Sequence, residues 1–411
     1  MGQTFVYNTG NSKAAVDELH LQFGVFFDGT LNMVHLILNL MINKLIQYGL
    51  IFLLFTQMIS CQEKTQNNTK MKEDQFKWQE GYTAPKGYPA FIYEGGMTSE
   101  DGYTGFPDMP IIEISRWGSG GGGMGSGRKA IPQLLHVKWL SYAEGCFYEV
   151  DTELDYDKML KHFKEGYQEK FGTLGMHKET YDEIITGFAP GGVVVVWLGG
   201  SSKQVEVGRY QGKKIVIPKE EITKLDSDRS FIFDKTLWKE TLDEVRQNLN
   251  DDEDNNPDHK DIKKKLDNNP IPFGLWDSYR TKYYWKPTFD FGLNEDSKVG
   301  DTQYELYNGE KFFIYNEWLP QEEFLHTGLP SGMAFDWTDK DGVAYSCNMS
   351  LDEEKVFSIV REICGDNKDT QIEIIFRVNM PNTYVAVFFK GNGKFLGMGT
   401  DMRQEVFKIK K

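Results

Sequence analysis

The sequence predicts an α+β protein made of two duplicated domains, each an antiparallel sheet with a helix packed on one face. Three observations support this class. Aromatic residues make up 14% of the chain and lie mostly in alternating runs that are typical of β-strands. Apolar residues at helical spacing form a stripe after a predicted hairpin in each half. A charged, asparagine-rich segment at residues 250–270 lies between the halves as a predicted linker.

The first domain is predicted to span residues 81–249. Its elements follow the two-residue period of strands and the 3.6-residue period of helices. The predicted strands are 90–93, 110–115, 136–140, 147–150, 181–186, 193–198, 204–209 and 214–217, and the predicted helices are 156–167 and 234–249. The second helix places four apolar residues on one face, namely Trp238, Leu242, Val245 and Leu249.

The second domain, residues 271–411, repeats this plan. Residues 329–337 correspond to 131–139, and the hairpin and helix that follow have counterparts in both halves. In the second copy, Ser350 and Glu353 predict a capping box at the start of the helix. One interpretation is an ancient duplication at a spacing near 200 residues. The alternative is the similarity that all β-hairpins share.

Residues 118–127 contain seven glycines in the run GSGGGGMGSG and predict a flexible hairpin loop. A phosphate-binding loop is the other interpretation of such a run, but the residues that follow do not supply the Gly-Lys-Ser/Thr of that motif. The net charge of −15 argues against nucleic acid as a partner.

Residues 41–60 predict a lipoprotein signal peptide. Lys44 precedes an apolar block at residues 45–55, which is too short to cross a bilayer comfortably. The block closes with Ser60 and Cys61 and resembles the bacterial lipobox, which implies a lipid anchor on Cys61 and a place in the cell envelope, at its periplasmic face. An uncleaved membrane anchor with an incidental cysteine is the alternative. The polar residues 61–80 predict a flexible tether.

Residues 1–40 do not suit a signal peptide, because forty residues precede Met41. Residues 23–32 predict a buried strand that runs into an Asp-Gly turn. They resemble the opening strand of the α/β-hydrolase lipases of domain-of-unknown-function family 2235, which include type VI secretion phospholipase effectors. The chain has no G-x-S-x-G elbow, so we interpret residues 1–40 as a vestigial or wrongly assigned upstream segment, with Met1, Met33 or Met41 as the start. A chance match is the alternative.

No metal site or cofactor is expected, because the seven histidines are scattered and no cysteine lies close enough to form a zinc knuckle. If Cys61 carries lipid, three cysteines remain, and an odd number cannot pair fully. Cys347 and Cys364 are the pair close enough in sequence to consider for a disulfide. Free buried cysteines are the ordinary alternative.

Four aromatic residues around the first predicted hairpin are candidate anchors for a protein partner. They are Trp139, Tyr142, Phe147 and Tyr148. Aromatic anchors of this kind contribute much of the binding energy of protein interfaces. The alternative is that half or more of them belong to the core.

Several segments resemble domain-of-unknown-function family 2931, a family of bacterial lipoproteins. They are residues 84–89, 139–142, 147–148, 180–185 and 189–197. The resemblance covers about residues 76–217, with a weaker copy over 271–411. The family has no established catalytic residues, but its members are often found beside type VI lipase effectors, where they look like immunity proteins.

The resemblance therefore implies a lipid-anchored immunity protein that binds a phospholipase effector and blocks its active site without being an enzyme. The alternative is a surface lipoprotein that captures a glycan or a lipid between its two domains. A third hypothesis is a hydrolase that uses Glu149 and Asp151, which alternate along a strand and would share a face. A solvated strand face explains the same two carboxylates.

Overall fold

Strands dominate the fold, and the predicted α+β class is confirmed. The structure is a computed structural model that describes residues 74–111, 116–121, 127–170, 175–225, 227–251, 262–292, 294, 296–315 and 323–409. Residues 71–411 form one compact unit. The predicted signal peptide, the lipobox at Cys61 and the lipase-like residues 23–32 lie outside the described residues.

The first half contains the following elements. Its strands are β1 (Gln75–Lys77), β2 (Gln79–Thr83), β3 (Ala90–Ser99), β4 (Gly102–Gly105), β5 (Met109–Ile111), β6 (Arg128–Ala130), β7 (Leu134–Ser141), β8 (Cys146–Glu153), β9 (Tyr167–Lys170), β10 (Met176–Glu179), β11 (Glu183–Ala189), β12 (Val193–Gly199), β13 (Gln204–Gln211) and β14 (Lys213–Ile215). Its helices are α1 (Tyr156–Glu165), α2 (Lys219–Ile222), α3 (Ser227–Ser230), a 3₁₀ turn (Phe231–Phe233) and α4 (Lys235–Asp251).

The second half begins with two more helices, α5 (Ile262–Asn268) and α6 (Leu275–Ser278). Its strands are β15 (Tyr283–Asp290), β16 (Lys298–Leu306), β17 (Lys311–Ile314), β18 (Leu325–Thr327), β19 (Pro330–Thr338), β20 (Ala344–Leu351), β21 (Gln371–Val378), β22 (Val385–Gly391), β23 (Lys394–Gly397) and β24 (Met402–Lys408). The helix α7 (Glu353–Cys364) lies between β20 and β21.

Three large sheets organise these strands. A nine-stranded sheet has the order β2-β11-β12-β13-β17-β16-β19-β20-β24. A six-stranded sheet has the order β14-β8-β7-β3-β4, with β5 also paired to β3. A five-stranded sheet has the order β18-β15-β21-β22-β23. Two small ribbons, β1-β6 and β9-β10, complete the pairing among the described residues.

The two halves repeat one strand order. In the first half β14-β8-β7-β3-β4 are neighbours, and in the second half β24-β20-β19-β16-β17 follow the same sequence of pairings. The remaining strands form β2-β11-β12-β13 and β15-β21-β22-β23, and in each set the first pair is parallel. The two halves share their strand order, their strand directions and the position of the helix. These shared features support a duplication of the whole unit, because similarity between single hairpins would not produce them.

The helices α1 and α7 begin alike. Asp155 and Asp352 each stand directly before a helix and accept a hydrogen bond from the backbone N–H three residues later. The predicted capping box of Ser350 and Glu353 is wrong. Ser350 lies on β20 and pairs with Arg403 on β24, and Asp352 occupies the N-cap position. The predicted apolar stripe of α7 is buried.

The nine-stranded sheet joins the two halves. Its first four strands come from the first half and its last five from the second, and one core cluster contains Trp197, Trp285 and Trp337 from both. The structure therefore differs from two separate domains on either side of a linker. Burying apolar faces of both halves against each other explains the difference.

Part of the predicted linker at 250–270 is helical, because its charges pair with those of α4. Arg246 is 8% exposed, and its guanidinium lies 2.8 Å from the Asp267 carboxylate on α5. Lys263 bonds to Asp267 and lies 3.4 Å from Asp243 on α4. The predicted tether at 61–80 also ends early, since β1 starts at residue 75 and Trp78 is buried.

Candidate functional site

A cleft lies where the two halves meet in the nine-stranded sheet. The strands β13 and β17 share a single residue pair, Gln204 with Lys311. Because so short a ladder leaves most of the two strands unjoined, they border a cleft with a volume of about 500 Å³. Volumes of this size are ordinary for small-molecule sites. The cleft also takes residues from β9, from the turn before β13, and from β18.

The floor beside the cleft is held by hydrogen bonds within the first half and between the two halves. The buried Gln204 amide donates to the Gly118 carbonyl at 2.7 Å and to the Gly309 carbonyl at 2.5 Å. Trp197 Nε1 donates to the Asn308 carbonyl at 3.0 Å. These buried bonds hold the first-half loop, β13 and the turn before β17 in one arrangement.

The glycine loop takes part in this floor. Gly118 has φ +85° and Gly309 has φ +86°, a backbone region that favours glycine. A Cβ on Gly118 would lie 2.6 Å from the Gly309 Cα. The prediction of a flexible hairpin loop at residues 118–127 is therefore wrong at Gly118, where close backbone packing requires glycine.

Two lysines bring positive charge to the cleft. Lys311 Nζ donates to the Ser201 carbonyl at 3.0 Å. Among the described residues, no carboxylate lies within 4.0 Å of the ammonium of Lys311 or of Lys203. Burial, followed by the nearby Arg116, lowers the pKa of Lys311. The charge of Lys311 is thus partly desolvated without a direct counter-ion.

Among the residues that the structure describes, the one carboxylate lining the cleft is engaged elsewhere. Glu310 accepts a hydrogen bond from the Asn308 side chain at 2.9 Å and from the Glu206 backbone N–H at 3.2 Å. Because these bonds occupy the Glu310 oxygens, the charged groups that remain available to a ligand are the two lysines, which are positive.

Aromatic rings form a wall of the cleft. Phe313 stacks on Tyr315 with ring centroids 6.0 Å apart, and Phe312 stacks on Tyr304 at 5.1 Å. His326 lines the cleft and stacks on Tyr284 at 4.2 Å. Each ring is fixed by a neighbour, so the wall is preorganised for a ligand. This arrangement can hold a molecule that combines negative charge with an apolar face.

The four predicted anchors do not lie at the cleft or on the surface. Trp139, Tyr142, Phe147 and Tyr148 are 1%, 8%, 5% and 5% exposed. Trp139 stacks on Tyr148 across β7 and β8 inside the core. The expectation of an exposed aromatic cluster is replaced by a core role, because the first hairpin is covered on both faces.

The two carboxylates of the hydrolase hypothesis share one face of β8, as the strand alternation predicts. The side chain of Glu149 is 34% exposed and that of Asp151 is 79% exposed. His136 on β7 lies 3.9 Å from Glu149 and 4.0 Å from Asp151. An open face with this exposure favours the solvated-strand interpretation.

A second surface lies on the outer side of the five-stranded sheet. We call it the aromatic face and define it as Ile375, Arg377, Phe388, Lys390 and Phe395. Phe388 stacks on Phe395 at 4.9 Å, and the Arg377 guanidinium lies over the Phe388 ring at 5.2 Å. Phe395 is 50% exposed, so this aromatic pair is open to a partner.

The corresponding face of the first half is covered by the chain itself. Ile185 on β11 and Trp197 on β12 are buried, and Trp117 packs edge-on against Trp197 at 5.0 Å. Trp117 belongs to the loop that contains Gly118. The duplicated sheets therefore differ in one respect: the first is covered on both sides and the second has an open side.

The described cysteines Cys146, Cys347 and Cys364 are free, so the considered disulfide between Cys347 and Cys364 is not formed. Within the described ranges, no cluster of three histidine, cysteine, aspartate or glutamate side chains is arranged to hold a metal ion. None of the helices in that part of the chain has the length and apolar character needed to cross a bilayer.

The cleft residues Lys203, Gln204 and Lys311 were not predicted from the sequence. Residues 311–315, KFFIY, have the composition of an ordinary strand, and nothing in the local sequence distinguishes Lys203 or Gln204. They come together through the strand order, not through local sequence.

Comparison with known proteins adds a family. No curated protein and no solved structure matches the chain significantly. The family DUF2931, described as a protein of unknown function, matches residues 62–274. This match spans more than half of the chain and includes the first half together with α4, α5 and the glycine loop. The chain therefore belongs to the DUF2931 family.

Proposed function

We propose that this protein is a lipid-anchored immunity protein of the cell envelope, which binds a phospholipase effector and occludes its active site. Cys61 would carry the lipid anchor at the periplasmic face. Occlusion requires a complementary surface and no catalytic group. A standard interface of this kind buries roughly 1,600 Å² in total.

The proposal rests mainly on the aromatic face. Aromatic residues and arginine are enriched at the centres of protein interfaces, and this surface offers Phe388, Phe395 and Arg377 together. Arg377 is also held by Asp290 at 2.6 Å. An arginine that is already positioned loses less entropy when a partner binds.

The contrast between the halves supports the same surface. The first-half counterpart is sealed by Trp117, whereas the second-half sheet leaves Phe395 half exposed. A cluster of exposed, stacked aromatic residues on a sheet face is typical of an interaction site. The resemblance of residues 23–32 to the lipase effectors is the feature that favours a lipase as the partner.

The test is the phospholipase activity of a family 2235 lipase effector, measured with and without an equimolar amount of the full chain. We expect inhibition by the native protein and a loss of inhibition of about tenfold or more with Phe388→Ala/Phe395→Ala. Phe407→Ala is the matched control, because Phe407 is 42% exposed on β24 of another sheet. Equal inhibition by all three proteins would exclude the aromatic face, and no inhibition by the native protein would reject the immunity function.

A second candidate function is the capture of a small ligand between the two halves. The cleft at the junction favours it, because the cleft combines an aromatic wall with two lysines. The two functions use different surfaces, so they can be separated by substitution. Lys203→Gln/Lys311→Gln should leave lipase inhibition unchanged if the aromatic face is the partner surface.

A further inference from the structure

The cleft has unused positive charge. The Lys203 side chain lines it and makes no hydrogen bond or ion pair within the described part of the chain, and the Lys311 ammonium bonds there only to the Ser201 carbonyl. A half-buried ammonium without a direct counter-ion is costly, and an anionic ligand would offset that cost. Glu310 does not serve as the counter-ion, since its bonds are to Asn308 and to the Glu206 backbone.

The cleft also has unused hydrogen-bonding groups beside its rings. Gln168 on β9 and Thr327 on β18 line the cleft, and their side chains form no hydrogen bond with any described residue. They lie on opposite halves of the chain. A ligand with several hydroxyl groups could bond to both sides of the cleft at once.

The aromatic wall suits a ring with polarised C–H bonds. The faces of Phe313 and Tyr315 carry partial negative charge, which attracts the partly positive hydrogens on the apolar face of a pyranose. A volume of about 500 Å³ accommodates a small saccharide. The mixture of rings, amide and hydroxyl groups favours a hydroxylated ligand over an acyl chain.

We infer that the cleft between the two halves binds an anionic saccharide, whose carboxylate or phosphate contacts Lys203 and Lys311 while its sugar ring lies against Phe313. This inference deepens the second candidate function and rests on it. It does not depend on the immunity function, because the aromatic face is not needed for it.

Isothermal titration calorimetry on the full chain tests the inference. The probes are glucuronate and glucose 6-phosphate, with glucose, inorganic phosphate and a soluble short-chain phosphatidylglycerol as comparisons. We expect at least one of the two anionic sugars to bind about tenfold or more tightly than glucose and than inorganic phosphate, with affinity that falls as salt is raised. If inorganic phosphate bound as tightly as the anionic sugars, the sugar ring would add nothing to binding, and its proposed contact with Phe313 would be overturned. If the phospholipid bound more tightly than the sugars, the ligand would be a lipid headgroup and the saccharide would be rejected. If none of the probes bound, the proposed site would be rejected.

Substitutions locate the binding. Lys203→Gln/Lys311→Gln should weaken the binding of the anionic sugar by about tenfold or more, and Lys311→Arg should retain most of it. Phe313→Ala should weaken it by a similar factor while leaving its salt dependence unchanged. The matched control is Lys235→Gln/Lys264→Gln, which makes the same change in net charge on two exposed lysines outside the cleft. An equal loss in the control would show that binding reflects overall charge and would overturn the assignment.

The lipase assay separates this inference from the immunity proposal. A chain that binds the sugar but does not inhibit the lipase supports the cleft and rejects immunity. A Lys203→Gln/Lys311→Gln variant that has lost the sugar but still inhibits supports both surfaces independently.

Discussion

Trp337 stacks on Tyr345 across β19 and β20 with ring centroids 5.5 Å apart, and an equivalent pair occupies the first half. There, Trp139 stacks on Tyr148 across β7 and β8 at the same distance. Both tryptophans are 1% exposed. The duplicated hairpins thus place the same cross-strand pair in each core, where aromatic pairs contribute to sheet stability.

Removing either tryptophan should destabilise the protein strongly. We expect Trp337→Ala to lower the free energy of unfolding by about 3–5 kcal/mol, because it leaves a large cavity in a buried core. Trp139→Ala should have an effect of the same size. Phe407→Ala, at an exposed position, should cost less than about 1 kcal/mol. Urea unfolding of the full chain measures all three, and a small effect at either tryptophan would contradict the equivalence.

The glycine loop offers a paired test of backbone packing. Gly118→Ala should lower the free energy of unfolding by about 1–3 kcal/mol, since its φ is +85° and a Cβ would meet the Gly309 backbone. Gly121→Ala is the control, because nothing lies within 4 Å of its added Cβ. Thermal unfolding compares the two. Equal melting temperatures would indicate that the loop is as free as the sequence alone suggests.

Glu183 should make stability depend on pH. Burial, followed by the neighbouring Asp182 carboxylate, raises the pKa of Glu183 to about 7 in the folded protein. The unfolded chain has the ordinary value of about 4.3. Between these two values the folded state binds more protons than the unfolded state, so this contribution to stability falls as pH rises from about 4.3 to 7.

The variant Glu183→Gln removes this titration. The free energy of unfolding of Glu183→Gln, relative to that of the native protein, should be higher at pH 8 than at pH 5 by at least about 1 kcal/mol. Glu220→Gln, at an exposed position on α2, is the control and should follow the native pH profile. Urea unfolding at the two pH values measures the difference. Parallel pH profiles for the native protein and Glu183→Gln would refute the assignment.

The start of α7 distinguishes the cap that the structure contains from the one that the sequence suggests. Asp352→Ala should cost about 1 kcal/mol, because the Asp352 carboxylate accepts a hydrogen bond from the Lys355 N–H at 2.9 Å. Ser350→Ala should cost less than about 0.5 kcal/mol, since Ser350 is an exposed strand residue. Chemical denaturation that ranks the two variants in the opposite order would support the capping box.

Periodic segments could be predicted well from the sequence. The stripes of α1, α4 and α7 and the strands β7, β8, β12 and β21 follow from local spacing of apolar residues, which is a property of the sequence itself. The helix start was less predictable, because Ser350 and Asp352 are both good N-cap residues and the pairing of β20 with β24 decides between them.

The charged segments were harder to predict. Residues 262–268 have the composition of a linker, yet they form α5 because Arg246 and Asp243 on α4 provide partners for Asp267 and Lys263. Partners that lie on another helix leave no trace in local composition. The packing of Gly118 could not be predicted for a similar reason, since close packing and flexibility both select glycine.

The sequence by itself determined the α+β class, the repeated plan of the two halves and the membership of the DUF2931 family. These follow from periodicity and from motifs that lie within short segments. Only the tertiary structure decided that the halves share one sheet, that Trp139 and Tyr148 are core residues, and that Lys203 and Lys311 meet in a cleft. These properties depend on which distant strands pair and which faces become buried, and the free energy of the whole fold sets both.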